Sequence, residues 1–155
     1  LVAAGATIPA EEEYLSGCHR LAEELGVSRR FHWQGQVDRN SKMKLLNEID
    51  VFVMPTPVPE AKGIPVIEAM ASGVPVVASA SGAFPELLGI QEPMPAGEVH
   101  IPGDIPDLTR CIEKVLRDET FAAELGLAGH TRVTQRYQSH HMAAAHESLY
   151  EDMQT

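Results

Sequence analysis

The stretch VFVMPTPVPEAKGIPVIEAMASGVPVVASASGAFPE, Val51 to Glu86, decides the fold. It holds two short apolar runs, VFVMP (residues 51–55) and VPVVAS (residues 74–79). Both are β-branched and neither alternates, as expected of parallel strands covered by helices on both faces. Between them, residues 65–72 predict a helix stopped by Gly73. A second short helix is expected after Phe84 and Pro85.

The flanks extend the pattern. Upstream, Leu1–Ala4 predicts a buried strand ended by Gly5. A helix over Pro9–Leu25 follows, capped near Thr7, with Leu15, Cys18, Leu21, Ala22 and Leu25 as its apolar stripe. FHWQG (residues 31–35) predicts a strand. Asp38 or Ser41 then caps a short helix carrying Met43, Leu46 and Ile49. Downstream come a weak strand at Val99–Ile101 and a helix opened by Asp104. Asp118 opens another to about Tyr137, and Ser139 caps a last one. Strands alternating with helices predict an α/β fold, a three-layer, doubly wound parallel sheet of Rossmann-like type.

The totals bound the function. The 155 residues suit one ordinary domain. Twelve Lys and Arg against 22 Asp and Glu give a net charge of −10, which argues against a nucleic-acid or anionic-membrane surface. Cys18 and Cys111 stand far apart, so neither a disulfide framework nor a zinc site is supported. No apolar run approaches a membrane span, and the opening LVAAGATIPAEEE lacks the basic flank of a signal peptide. Because the chain opens on a strand-like run without Met, upstream protein is expected.

In doubly wound sheets, ligands meet the C-terminal ends of strands. Residues 55–65 follow a strand and lead into a helix. The amides of Gly63, Ile64 and Val66 are expected to be unpaired donors at that helix start, suited to a diphosphate. Lys62 adds a cation, and Gly63 lets the backbone approach closely. Glu60 and Glu68 could accept from sugar or ribose hydroxyls. The same residues also fit a blander account, with Glu68 a solvated helix residue and Gly63 an ordinary turn. A metal site is disfavoured because two Glu cannot complete a coordination shell. His140, His141 and His146 are expected on a helix surface, His100 in the loop-rich region around the weak strand, and Trp33 as a buried strand aromatic.

The run EAKGIPVIEAMASGVPVVAS (residues 60–79), followed by GAFPE (residues 82–86), resembles the signature of family 4 glycosyltransferases of the GT-B fold. The resemblance covers nearly the whole chain. It implies the C-terminal, nucleotide-sugar donor-binding half of such an enzyme, spanning residues 1–155. It also implies that the first strand of that half and the acceptor-binding domain are absent. Glu60 would contact donor-sugar hydroxyls in a retaining transfer, and Glu68 the ribose. Lys62, Gly63 and Ile64 would meet the diphosphate or sugar. Gly82, Ala83 and Phe84 would line the same cleft, and the base would lie near Gln36 and Val37. The donor is a substrate; no cofactor or metal is implied. The acceptor is an unspecified sugar, lipid or other group.

Departures accompany the resemblance. Ala61 and Lys62 stand where the family commonly has Gly and Phe, and Ala83 stands where it has a second Gly. The family's Arg and Lys that neutralise the leaving diphosphate have no match. The isolated fragment is therefore expected to be inactive, and the missing strand to be compensated by rearrangement or self-association. A cytoplasmic location is implied, with peripheral membrane attachment open to the full-length protein. Two alternatives remain, a nucleotide- or phosphate-binding module without transfer chemistry and a domain kept for assembly.

Overall fold

The computed structural model describes residues 1–153. The chain divides into two compact units, Leu1–Leu45 and a second beginning at Leu46. In the first unit, strand β1 (Val2–Ala3) pairs in parallel with β2 (His32–Trp33), in the register Val2 to His32 and Ala3 to Trp33. Helix α1 (Glu12–Glu24) joins them after a 3₁₀ turn at Pro9–Glu11. Thr7 does not cap this start; the Glu11 carboxylate accepts the Ile8 N–H at 3.5 Å. The predicted stripe is only partly used. Ala22 is buried and Leu15 and Cys18 are half-buried, while Leu21 and Leu25 are exposed.

Helix α2 (Arg39–Glu48) spans the division between units. It is capped as expected: the Asp38 carboxylate accepts the Ser41 N–H at 2.7 Å.

The second unit is built on three parallel strands, β3 (Phe52–Met54), β4 (Val76–Ser79) and β5 (Gly97–His100), in that order. Helices α3 (Ile64–Ala71), α4 (Phe84–Leu87), α5 (Ile105–Arg117), α6 (Glu119–Arg136) and α7 (Ser139–Asp152) complete it. Strand β4 is buried on both faces. Val76 and Ala78 face a core with Val66, Met70, Phe84, Leu88 and Val133. Val77 faces a second core with Cys111, Val115 and Leu125. This two-sided burial explains why VPVVAS shows no alternation.

Two glycines set how closely α6 lies on α3. A Cβ at Gly126 would overlap the Gly73 carbonyl oxygen, and one at Gly129 would stand 3.1 Å from Met70 Cγ. Asp104 and Asp118 cap α5 and α6, accepting from Asp107 and Phe121 at 2.9 Å. Ser139 is the first residue of α7 and not its cap. Strand β5 also begins two residues earlier than the weak strand expected at Val99.

The expectation of one sheet is met in two parts. The strands form a two-stranded and a three-stranded parallel ladder. Among the described residues β1 pairs only with β2, and β3 only with β4. No helix among the described residues is long and apolar enough to cross a membrane.

Candidate functional site

The loop from β3 to α3 and the loop from β4 to α4 interlock. The Glu60 carbonyl oxygen accepts the Ala83 N–H at 2.8 Å. Gly82, at φ +57°, lies against the Glu60 main chain with no room for a side chain. Gly63, at φ +60°, sits over the side chains of Phe84 and Leu87, and a Cβ there would approach Leu87 Cδ1 to 2.5 Å. Both glycines occupy the left-handed region while pressed against neighbours, so both the backbone angle and the space select for them.

The Glu60 side chain folds back on its own turn. Its Oε1 accepts from the Lys62 N–H at 3.0 Å and the Gly63 N–H at 3.3 Å. Those backbone donors, Lys62 first, hold the Glu60 carboxyl below the usual carboxylate range. Its Oε2 makes no hydrogen bond among the described residues.

This corrects the expected set of free amides. The Gly63 N–H is taken by Glu60, and the Val66 N–H is bonded to the Gly63 carbonyl at 3.0 Å. Only Ile64 of the three donates no hydrogen bond among the described residues, and it is exposed. Glu68 lies one turn into α3 and is half-buried. Lys62 is exposed.

Phe84 differs from its expected role as a cleft residue. The whole residue is buried, its ring beneath Gly63, so it supports the turn from below and does not line an open cleft. Ala83 is half-buried and Gly82 exposed. Glu60, Lys62, Gly63, Ile64, Glu68 and Gly82–Phe84 thus belong to one unit and to neighbouring loops. Gln36 and Val37 lie in the first unit, between β2 and α2, the former exposed and the latter half-buried.

Other polar groups were not legible as parts of this region. Ser79 and His100 are register partners at the C-terminal ends of β4 and β5. Both are buried, and among the described residues neither Ser79 Oγ nor His100 Nε2 has a partner. His100 is thus a buried residue of β5, within the weak strand expected at residues 99–101. Arg132, buried on α6, donates to the Leu87 and Glu86 carbonyls at 2.7 and 2.8 Å. A groove of about 320 Å³ lined by Pro93, Met94, Pro95, Phe121, Glu124 and Leu125 shares no residue with the predicted site. Among the described residues no three His, Cys, Asp or Glu side chains cluster as metal ligands would.

Residues 1–132 match the family model described as glycosyl transferases group 1. Over 135 residues the chain is 32% identical to an MMP alpha-(1->4)-mannosyltransferase of Mycolicibacterium hassiacum, covering 85% of this chain and 31% of that protein. It is 32% identical over 127 residues to a GDP-mannose-dependent monoacylated alpha-(1-6)-phosphatidylinositol monomannoside mannosyltransferase of Corynebacterium glutamicum, covering 77% and 32%. Among solved structures, it superposes on sucrose-phosphate synthase of Thermosynechococcus elongatus with a TM-score of 0.84 at 29% identity, covering 99% of this chain and 38% of that one. The chain spans about a third of the length of these relatives. The sequence signature, the parallel sheets flanked by helices and the family match agree: the chain belongs to the group 1 glycosyl transferases and is a glycosyltransferase domain of the GT-B fold.

Proposed function

We propose that this chain is the donor-binding lobe of a retaining family 4 glycosyltransferase, and that it holds a nucleotide diphosphate-sugar. One observation carries the reading: the Glu60–Ile64 turn and the Gly82–Phe84 loop are locked together beyond the C-terminal ends of β3 and β4. In parallel sheets flanked by helices, that end is where ligands bind.

Each group then has a role. Glu60 Oε1 keeps the turn closed, and Oε2 accepts a donor-sugar hydroxyl, so the carboxylate is oriented before the sugar arrives. The Ile64 amide and the positive end of α3 face the diphosphate, with Lys62 adding charge. Glu68 accepts from the ribose. Gly82 and Ala83 present main chain to the same ligand. The relatives named as mannosyltransferases support a hexose donor. The acceptor site and the cations that neutralise the leaving diphosphate belong to other parts of a longer protein.

Calorimetric titration of nucleotide-sugars and free nucleotides tests this. The reading expects binding strengthened by the sugar, abolished by Glu68→Ala and untouched by Glu24→Ala. Nucleotide binding indifferent to the sugar would favour a phosphate-binding module instead. No binding by the intact protein would refute the proposal.

A further inference from the structure

We infer that Arg132 is a positioning residue for the donor site, acting through α4; the functional half of this inference rests on the reading above. Helix α4 is a single turn, Phe84–Leu87, too short to hold itself by its own hydrogen bonds. Both of its ends are held from outside. At its start, Ala83 donates to the Glu60 carbonyl, and the Phe84 and Leu87 side chains support Gly63. At its end, one guanidinium meets the Leu87 carbonyl and shares the Glu86 carbonyl with the Gly89 N–H. Arg132 Nε–H donates to the Leu87 oxygen at 2.7 Å and Nη2–H to the Glu86 oxygen at 2.8 Å. Nη1–H donates to Glu92 Oε2 at 2.7 Å.

The side chain is built in. It is 7% exposed, and a buried cation persists only when paired and fully hydrogen-bonded. Glu92 supplies the counter-charge and is itself held by Arg136 at 2.8 Å. Gly89, at φ +60°, leaves the space the guanidinium fills, since a Cβ there would stand 2.5 Å from Nη1. The planar fork presents its donors in fixed directions toward two carbonyls and a carboxylate, where an ammonium has three rotatable donors on a flexible stem. Arg132 on α6 therefore sets the height of α4, and α4 sets the Gly82–Ala83 loop against the Glu60 turn.

Amide hydrogen exchange and donor titration on the intact protein test this, comparing wild type with Arg132→Lys. Exchange should accelerate about tenfold, the scale of losing a charge-assisted hydrogen bond, at Ala83, Lys62 and Gly63. Exchange at Val77 and Ala78 in β4 should be unchanged, and the nucleotide-sugar dissociation constant should rise by a similar factor. Unchanged exchange at Ala83, or equal acceleration in β4, would overturn the inference. If Arg132→Lys does not fold, Glu92→Gln should give the same local pattern at smaller size, and its absence there would overturn the inference too. Local acceleration in a protein that binds no nucleotide-sugar even as wild type would uphold the strut and refute the donor-site reading. Nucleotide-sugar affinity equal in wild type and variant would overturn the functional half of the inference and leave the donor-site reading standing.

Discussion

Gly82 lies so close to the main chain of Glu60 that a Cβ there would overlap the Glu60 carbonyl oxygen. The two loops of the candidate site are therefore fitted to each other through backbone. Gly82→Ala meets two penalties: the φ of +57° costs an L-residue about 1–2 kcal/mol, and the overlap forces the loops apart. The expected outcome is a loss of at least that much unfolding free energy by denaturant titration, with weakened nucleotide-sugar binding. Wild-type stability would contradict the interlock.

Glu60 links the site to pH. Hydrogen bonds from the Lys62 and Gly63 amides hold its carboxyl below the usual carboxylate range. A depressed carboxylate stabilises fully above its unfolded-state value, and that contribution is lost as pH falls through the lower folded value. Glu60→Gln keeps an acceptor for the turn and removes the titration. The acid side of the stability–pH profile should become shallower in the variant, measured by thermal unfolding between about pH 5 and pH 2. Nucleotide-sugar affinity should fall by about tenfold while free-nucleotide affinity holds.

The close approach of α3 and α6 gives a test of the core that is separate from function. Gly126 has no space for a Cβ beside the Gly73 carbonyl, whereas Gly129 faces the flexible Met70 side chain. Gly126→Ala should cost about 1–3 kcal/mol by overpacking, and Gly129→Ala less. Denaturant unfolding of the pair checks the order.

Ser79 carries a buried hydroxyl without a partner among the described residues. Such a group costs about 1–3 kcal/mol of desolvation that nothing repays. Ser79→Ala is expected to raise the unfolding free energy by about 1 kcal/mol. A loss of stability instead would show that the hydroxyl is engaged, with His100 as its nearest candidate partner by register.

Much of this was legible in the residues because it is local. Asp38, Asp104 and Asp118 each stand three residues before the amide they cap, a spacing visible in the sequence. VFVMP and VPVVAS declared parallel strands by lacking alternation; strand β4 in the second is fully buried and β3 in the first half-buried. What was not legible depends on tertiary register or on a rotamer. The capture of the Gly63 amide by Glu60 needs a side chain to fold back across three residues. The burial of Phe84 follows from the place of Gly63 above it, and the Arg132 contacts join groups 45 and 46 positions apart. Ser139 misled because Ser is equally at home at a first helical position, with Gln138 standing in the cap.

The central claim is that the Ile64 amide at the start of α3 receives the donor's diphosphate. The most direct measurement is the ¹⁵N–¹H spectrum of the intact protein during titration with a nucleotide-sugar. Saturable shifts at the Ile64 amide, accompanied by Gly82 and Ala83, are the predicted result. A bound donor that leaves those three amides unmoved, while shifting resonances of the groove at Pro93–Pro95 and Phe121, would contradict the account.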